Sequence, residues 1–194
     1  GMEVFDGCDK LAVLDLPEGL EEIGETCFGL SFGINRMHIP ESLKTLKSSV
    51  FTDQAVVIVP DSITNLEEDM IWTECVSGSF EGPAIVTQNN KVLRDFAEKH
   101  DFDHFEGWRE DENGIIWSAD GKTLISFPVE WPEKDYQLPD QVRAVYRGAF
   151  TGTGIKSFSS SHTVEIVGGY ISAFGPPSGK KFAVNGYIEE LRNT

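Results

Sequence analysis

Three prolines each follow a β-branched or leucine residue, in Leu16-Pro17, Ile39-Pro40 and Val59-Pro60, and a fourth pair, Leu138-Pro139, lies further along. Taking each proline as zero aligns the chain with itself. Position +3 holds Leu20, Leu43, Ile63 and Val142, and position +6 holds Ile23, Leu46, Leu66 and Val145. Position +11 holds Phe28, Phe51, Ile71 and Phe150, and position −3 holds Leu14, Met37, Val57 and Tyr136. Columns that stay apolar in every copy are a register that chance rarely produces. A fifth copy lacks its proline and is centred on Ser161, with Phe158, Val164 and Val167 in register and Phe174 two residues late.

Spacings of 23, 20 and 22 residues separate Pro17 from Pro40, Pro40 from Pro60, and Pro139 from Ser161. That is the length of a leucine-rich-repeat unit, one supersecondary element per solenoid turn. A single unit of this size cannot bury its apolar edge, whereas stacked units bury a continuous column of Leu, Ile and Phe. The apolar pair two residues apart before each proline (Leu14 and Leu16, Met37 and Ile39, Val57 and Val59) has the period of a strand. Proline ends that strand where its missing N–H removes no ladder bond. The acidic column just after it, Glu18, Glu41, Asp61 and Asp140, reads as a solvated turn.

The run from Val4 to Leu11, followed by Leu16-Pro17-Glu18-Gly19-Leu20-Glu21-Glu22-Ile23-Gly24, resembles the BspA-like leucine-rich repeat. The stretch Tyr136 to Val145 with Gly148-Ala149-Phe150 resembles it as closely. The resemblance spans most of 4–72 and 114–174, and it is specific to a repeat type rather than to a function. The chain departs from the pattern in lacking a Cys after Phe28, Phe51 and Phe150, and in Ser161 standing where a proline belongs. The resemblance implies export or surface display in a bacterium and engagement of host or matrix proteins. It also implies a hairpin insert ahead of a fresh run of repeats.

The expected fold is therefore an α/β leucine-rich-repeat solenoid, strand-dominated, with few short helices and two short arcs. Between the third and fourth registers the pattern stops. Ala84-Ile85-Val86 fits one more solenoid strand, and Val92, Leu93, Phe96, Ala97 and His100 then share a helical face that Asn89 or Asn90 can cap. Residues 2–106 are expected to form the first arc, closed by a capping helix at about 89–100 that covers the open end of the stack. Residues 107–194 are expected to hold a hairpin insert, the second arc (133–174) and a C-terminal segment with a short helix at 187–192. Asp101 to Gly114 reads as an acidic connector, and Asp120-Gly121 between two apolar runs as a hairpin turn.

Composition narrows function mainly by exclusion. With 16 basic and 32 acidic side chains the net charge is −16, which repels nucleic-acid backbones and anionic lipid. No apolar run approaches the ~18 residues of a membrane span, so neither nucleic-acid binding nor membrane insertion is expected. Gly1 ahead of Met2 reads as a tag remnant, with a signal segment either trimmed or never present. Cys8, Cys27 and Cys75 form neither a disulfide framework nor a zinc set, and Cys8 and Cys27 are expected to pack as small hydrophobes.

Catalytic motifs are weak. Gly29-Leu30-Ser31-Phe32-Gly33 fits a nucleophile elbow but leads into another strand, so it reads as a repeat turn. Gly175 to Lys181 is one residue short of a phosphate loop and reads as a surface loop. The acidic runs near 101–104 and 110–114 lack the order of a calcium loop, and the four histidines form no ligand set. No enzyme, cofactor or metal site is expected.

A binding face is expected on the out-facing strand positions. Position −2 holds Asp15, His38, Ile58, Gln137 and Ser159, and position −4 holds Val13, Arg36, Val56, Asp135 and Ser157. Val56 and Ile58 are both expected at out-facing positions, where an apolar pair can mark an interaction patch for a partner. Packing against the hairpin or the second arc is the slightly favoured alternative. Trp72, Trp108 and Trp131 lie between the arcs, where sealing the junction is favoured over anchoring a partner. The expected function is non-catalytic binding of a protein ligand, the alternative being a glycan-binding or accessory module of a carbohydrate-active system.

Overall fold

The structure, a computed structural model, describes residues 3–8, 10–28, 31, 33–51, 56–70, 79–80, 83–100, 102–168 and 171–172. The first coils supply β1 (Val13–Asp15), β2 (Arg36–His38), β3 (Thr45–Leu46), β4 (Val56–Ile58) and β5 (Asn65–Leu66). They are followed by β6 (Ser79–Phe80), β7 (Ala84–Thr87), helix α1 (Lys91–His100) and β8 (His104–Glu106). An antiparallel insert of β9 (Trp108–Glu110), β10 (Ile116–Ser118) and β11 (Thr123–Ser126) precedes the second arc. That arc holds β12 (Asp135–Gln137), β13 (Ala144–Tyr146), β14 (Ser157–Ser159), β15 (Glu165–Val167) and β16 (Ile171–Ser172), the last antiparallel to β6. The whole is a strand-dominated solenoid of about six turns, with one short helix among the described residues.

The register counted from the prolines is the backbone register. In the parallel sheet β1-β2-β4-β7-β8, Leu14 pairs with Met37, Met37 with Val57 and Val57 with Ile85. Position −3 is thus one rung, and Ala84-Ile85-Val86 is the further solenoid strand. A second row, β3–β5, pairs Leu46 with Leu66, which are both position +6. Between the two rows lies a core that includes Phe28, Met37, Leu43, Leu46, Phe51, Val57, Ile63 and Ile85. Each is in a register column or its extension, so removal from water at roughly 25 cal/mol per Å² favours stacking over any isolated coil.

Helix α1 starts where Asn90 caps it: the Asn90 side-chain oxygen accepts from the Leu93 N–H at 3.1 Å. Its side-chain nitrogen donates to the carbonyls of Pro60 (3.2 Å) and Ile63 (2.9 Å), pinning the helix entry to the preceding coil. Leu93, Phe96 and Ala97 are buried, while Val92, expected on the same face, is exposed. The helix packs on β5, β7 and β8. It therefore covers the end of the short β3–β5 row, whereas the main sheet continues one strand further through β8.

Within the stretch expected as an acidic connector, residues 104–110 form two strands joined at Gly107. Alternation explains it: His104 bonds Thr87 and Glu106 pairs with Arg94, while Phe105 turns the other way onto Tyr146. Gly107 has φ +72°, donates to the Thr87 carbonyl and accepts from the Ala119 N–H, so it carries the chain from the first sheet to the second. The hairpin forms as expected at Asp120-Gly121, with Gly121 at φ +70° and its N–H on the Ser118 carbonyl.

The second arc uses its rows differently. Its −4 to −2 strands pair only with each other, as β12–β14, and its +6 strands join the insert in the sheet β15-β13-β11-β10-β9. The coil centred on Ser161 slips by one: Val145 pairs with Ile166 rather than with Val167. Three residues lead from Val142 to Val145 but two from Val164 to Ile166, although Val142 and Val164 are both buried. Phe174, the loop at 175–181 and the helix expected at 187–192 lie outside the described residues.

Val56 and Ile58 do not point into solvent. They are 0% and 6% exposed and share one core with Ala84 and Val86 of the first sheet and with Ile116, Trp117, Val145 and Tyr146 of the second. Of the two readings of this pair, the packed one holds and the partner patch does not: their rung is the seat on which the insert and second arc pack. The rungs are as counted, but an out-facing rung is exposed only where nothing docks on it. Asn35, beside this seam, is 1% exposed; it accepts from Ser126 Oγ at 3.1 Å and donates to the Thr151 carbonyl, with the Ala149 carbonyl at 3.5 Å.

Candidate functional site

The eight positions expected to form one binding face are divided among four settings. Val56 and Ile58 are buried. Arg36 is largely covered, its side chain 12% exposed, because Nη1 donates to the Gly114 carbonyl at 2.8 Å and pairs with Glu110 at 3.4 Å. It clamps the first sheet to the insert turn. Asp135 and Gln137 are exposed on the separate β12–β14 ladder, where Ser157 donates to Asp135 and Ser159 to Gln137 at 2.6 Å. Val13, Asp15 and His38 remain near the open part of the first sheet: Val13 and His38 are half-buried and Asp15 is exposed.

His38 opens onto a cleft of about 210 Å³ that the two-dimensional register does not show. Its walls come from matching positions in successive coils: His38 and Ile58 at −2, Ile39 and Val59 at −1, and Glu41 and Asp61 at +1. Gln88 follows from the next coil, and Trp108 of the insert closes one side. The Trp108 ring meets His38 edge-on at 6.4 Å. Gln88 holds the Trp108 backbone from both directions, donating to its carbonyl at 3.0 Å and accepting from its N–H at 3.4 Å.

The electrostatics of the cleft are lopsided. Burial pushes the His38 imidazole below its usual pKa, with the nearby Arg36 guanidinium adding to it and Asp15 and Glu110 opposing, so the ring is neutral at pH 7. Asp61 accepts from the Asn89 N–H at 3.0 Å. The acidic +1 column, expected only to be solvated, thus caps the next coil: Glu18 accepts from the Glu41 and Ser42 N–H groups, and Asp140 from Ser161 Oγ at 2.7 Å. Among the described residues neither Glu41 nor Asp61 has an ion-pair partner; Lys44 bonds the Glu41 backbone carbonyl at 2.8 Å instead. Glu41, Asp61, Gln88 and Trp108 were absent from the expected face. The acidic column and the junction tryptophan were the available signals, but their meeting depends on how the insert folds back.

Other features read from sequence take structural places. Ser31 is 0% exposed, donates to the Phe5 carbonyl and accepts from the Cys8 N–H at 3.3 Å, tying neighbouring coils; Gly29, Leu30 and Phe32 lie outside the described residues. Cys27 is buried, its thiol pushed up by burial, while Cys8 is only half-buried and Cys75 lies outside the described residues. Trp131 packs on Phe127 and Tyr136 and seals the second core; Trp72 lies outside the described residues. Among the described residues, no three His, Cys, Asp or Glu side chains are grouped to hold a metal ion, and no helix is long and apolar enough to cross a membrane.

Residues 1–91 match the model of the BspA type leucine rich repeat region, in six copies. That segment is a BspA-type leucine-rich repeat region. The matched residues hold the β1-β2-β4-β7 rungs and the β3–β5 row. Three solved structures are similar to the chain. They are a leucine rich cell surface protein from Faecalibacterium prausnitzii A2-165 (17% identity, TM-score 0.36), the pneumococcal vaccine antigen PcpA (16%, 0.35) and a leucine-rich repeat protein from Eubacterium ventriosum (12%, 0.29). Each similarity covers 80–82% of this chain. The chain spans 38%, 35% and 53% of those proteins' own lengths. No curated protein matches it.

Proposed function

We propose that the BspA-type chain is a non-catalytic protein-binding module, displayed on or secreted from a bacterial cell, that engages an extracellular protein. The observation that carries this reading is the His38–Trp108 cleft. Solenoids bind partners on surfaces made by equivalent positions of neighbouring coils, and this cleft is such a surface, sharpened by an aromatic from the insert. The family resemblance supports surface display.

The test has two arms. Purified matrix and host-surface proteins are screened against the immobilised chain, and protease is added to intact source cells. Saturable binding to a screened protein, with cleavage on intact cells, is the expected result. Protection of the protein in the cytosolic fraction would redirect the search to intracellular partners and sink the surface role. A glycan-binding reading rests on Trp108 beside Gln88 and two carboxylates, and it requires soluble sugars to change tryptophan fluorescence.

A further inference from the structure

We infer that the His38–Trp108 cleft receives a single arginine or lysine side chain projecting from the protein partner. This rests on the protein-binding reading and names the chemistry that the cleft recognises. Size comes first: about 210 Å³ falls below the roughly 300–1,000 Å³ of small-molecule sites and suits one extended side chain. Shape comes second. Ile58 and Pro60 supply apolar lining for a methylene stem, the Ile39 and Val59 side chains belonging to the first core, and the exposed Glu41 and Asp61 line the same cleft and would meet the cationic head.

Charge decides the sign of the occupant. Glu41 and Asp61 each lack an ion-pair partner among the described residues, and Trp108, an aromatic of the kind that attracts cations, lines the same cleft. The cations that could compete or repel are already engaged. Arg36 is held by Glu110 and Gly114, Arg94 by Glu106 and Asn89, and Lys44 by the Glu41 backbone carbonyl. His38 is neutral at pH 7 and presents no charge. A net charge of −16 draws a basic partner toward the chain before contact.

The experiment uses the whole chain with the peptide Ac-Gly-Gly-Arg-Gly-Gly-NH2, following the Trp108 indole N–H by NMR, with the signal assigned by its loss in Trp108→Phe. The same peptide with citrulline replacing arginine keeps the shape and removes the charge. The expected result is a saturable shift with the arginine peptide and none with citrulline. In Glu41→Gln/Asp61→Asn, which keeps the oxygen that accepts from Asn89, binding weakens about fivefold. Both residues are exposed, and an unchanged far-UV CD spectrum verifies that the double variant is folded. An unmoved indole, an equal response to citrulline, or indifference to the double variant overturns the assignment. A shift produced by soluble oligosaccharides and not by the peptide overturns it in favour of a glycan. A purified extracellular protein that binds wild type and double variant equally leaves the protein-binding reading standing and removes only the cleft from it.

Discussion

Asn35 shows how much of this molecule's specificity rests on single polar side chains. It is buried at the seam of the two arcs and bonds groups more than ninety positions away, Ser126 Oγ and the Thr151 carbonyl. Asn35→Ala leaves a carbonyl and a hydroxyl without partners, and the expected loss is about 1–3 kcal/mol of unfolding free energy, measured by urea denaturation. A wild-type midpoint would show that water replaces those bonds freely. His38 and His104 supply a pH prediction. Burial is the first cause of the lowered pKa of each, so the unfolded chain takes up protons on acidification that the folded chain resists. Stability is full above the usual imidazole pKa near 6.5 and is lost as pH falls below it toward the depressed folded values. The urea midpoint should drop between about pH 7.5 and 5.5, and His38→Gln/His104→Gln should flatten that drop. An equally steep fall in the variant would assign it to other groups.

At the level of elements, strand period and strand exposure are separate properties. The column rule placed Val56 and Ile58 on the out-facing rung correctly, and the insert then covered that rung. Val56→Asp puts an unpaired charge into the shared core and should cost at least about 3 kcal/mol. Ile58→Ala should cost about 2–5 kcal/mol through the cavity left behind. Near-wild-type thermal unfolding of both would show that the second arc does not seat there. Helix α1 makes the same point from its start. Asn90→Ala removes the cap of Leu93 and the two donors to Pro60 and Ile63, so its cost should exceed the ~1 kcal/mol of an isolated cap. The Asp101–Gly114 stretch hid its strands because its acidic residues alternate with Phe105 and Trp108 over too few positions to show a period.

Across the whole molecule, the shared core predicts cooperativity. Val56, Ile58, Ala84 and Val86 of the first arc lie in the same cluster as Ile116, Val145 and Tyr146 beyond it, so a nearest-neighbour stack is reinforced by a second contact. Urea unfolding followed by far-UV CD and by tryptophan fluorescence should give one coincident midpoint. Two resolved midpoints would mean that the arcs unfold independently.

The local repeat was legible from sequence alone, down to the rung: Leu14, Met37 and Val57 were one column before they were one ladder. It was legible because stacking repeats the same burial requirement every coil, and each requirement writes an apolar letter at a fixed count from a proline. What faces the outer rungs was decided only by tertiary structure. Arg36 could reach Glu110 and Gly114, and Trp108 could close a cleft with His38, Glu41 and Asp61, only after Gly107 turned the chain back over the first sheet. Those contacts occur once, between segments up to 78 positions apart, so no repetition marks them in the sequence.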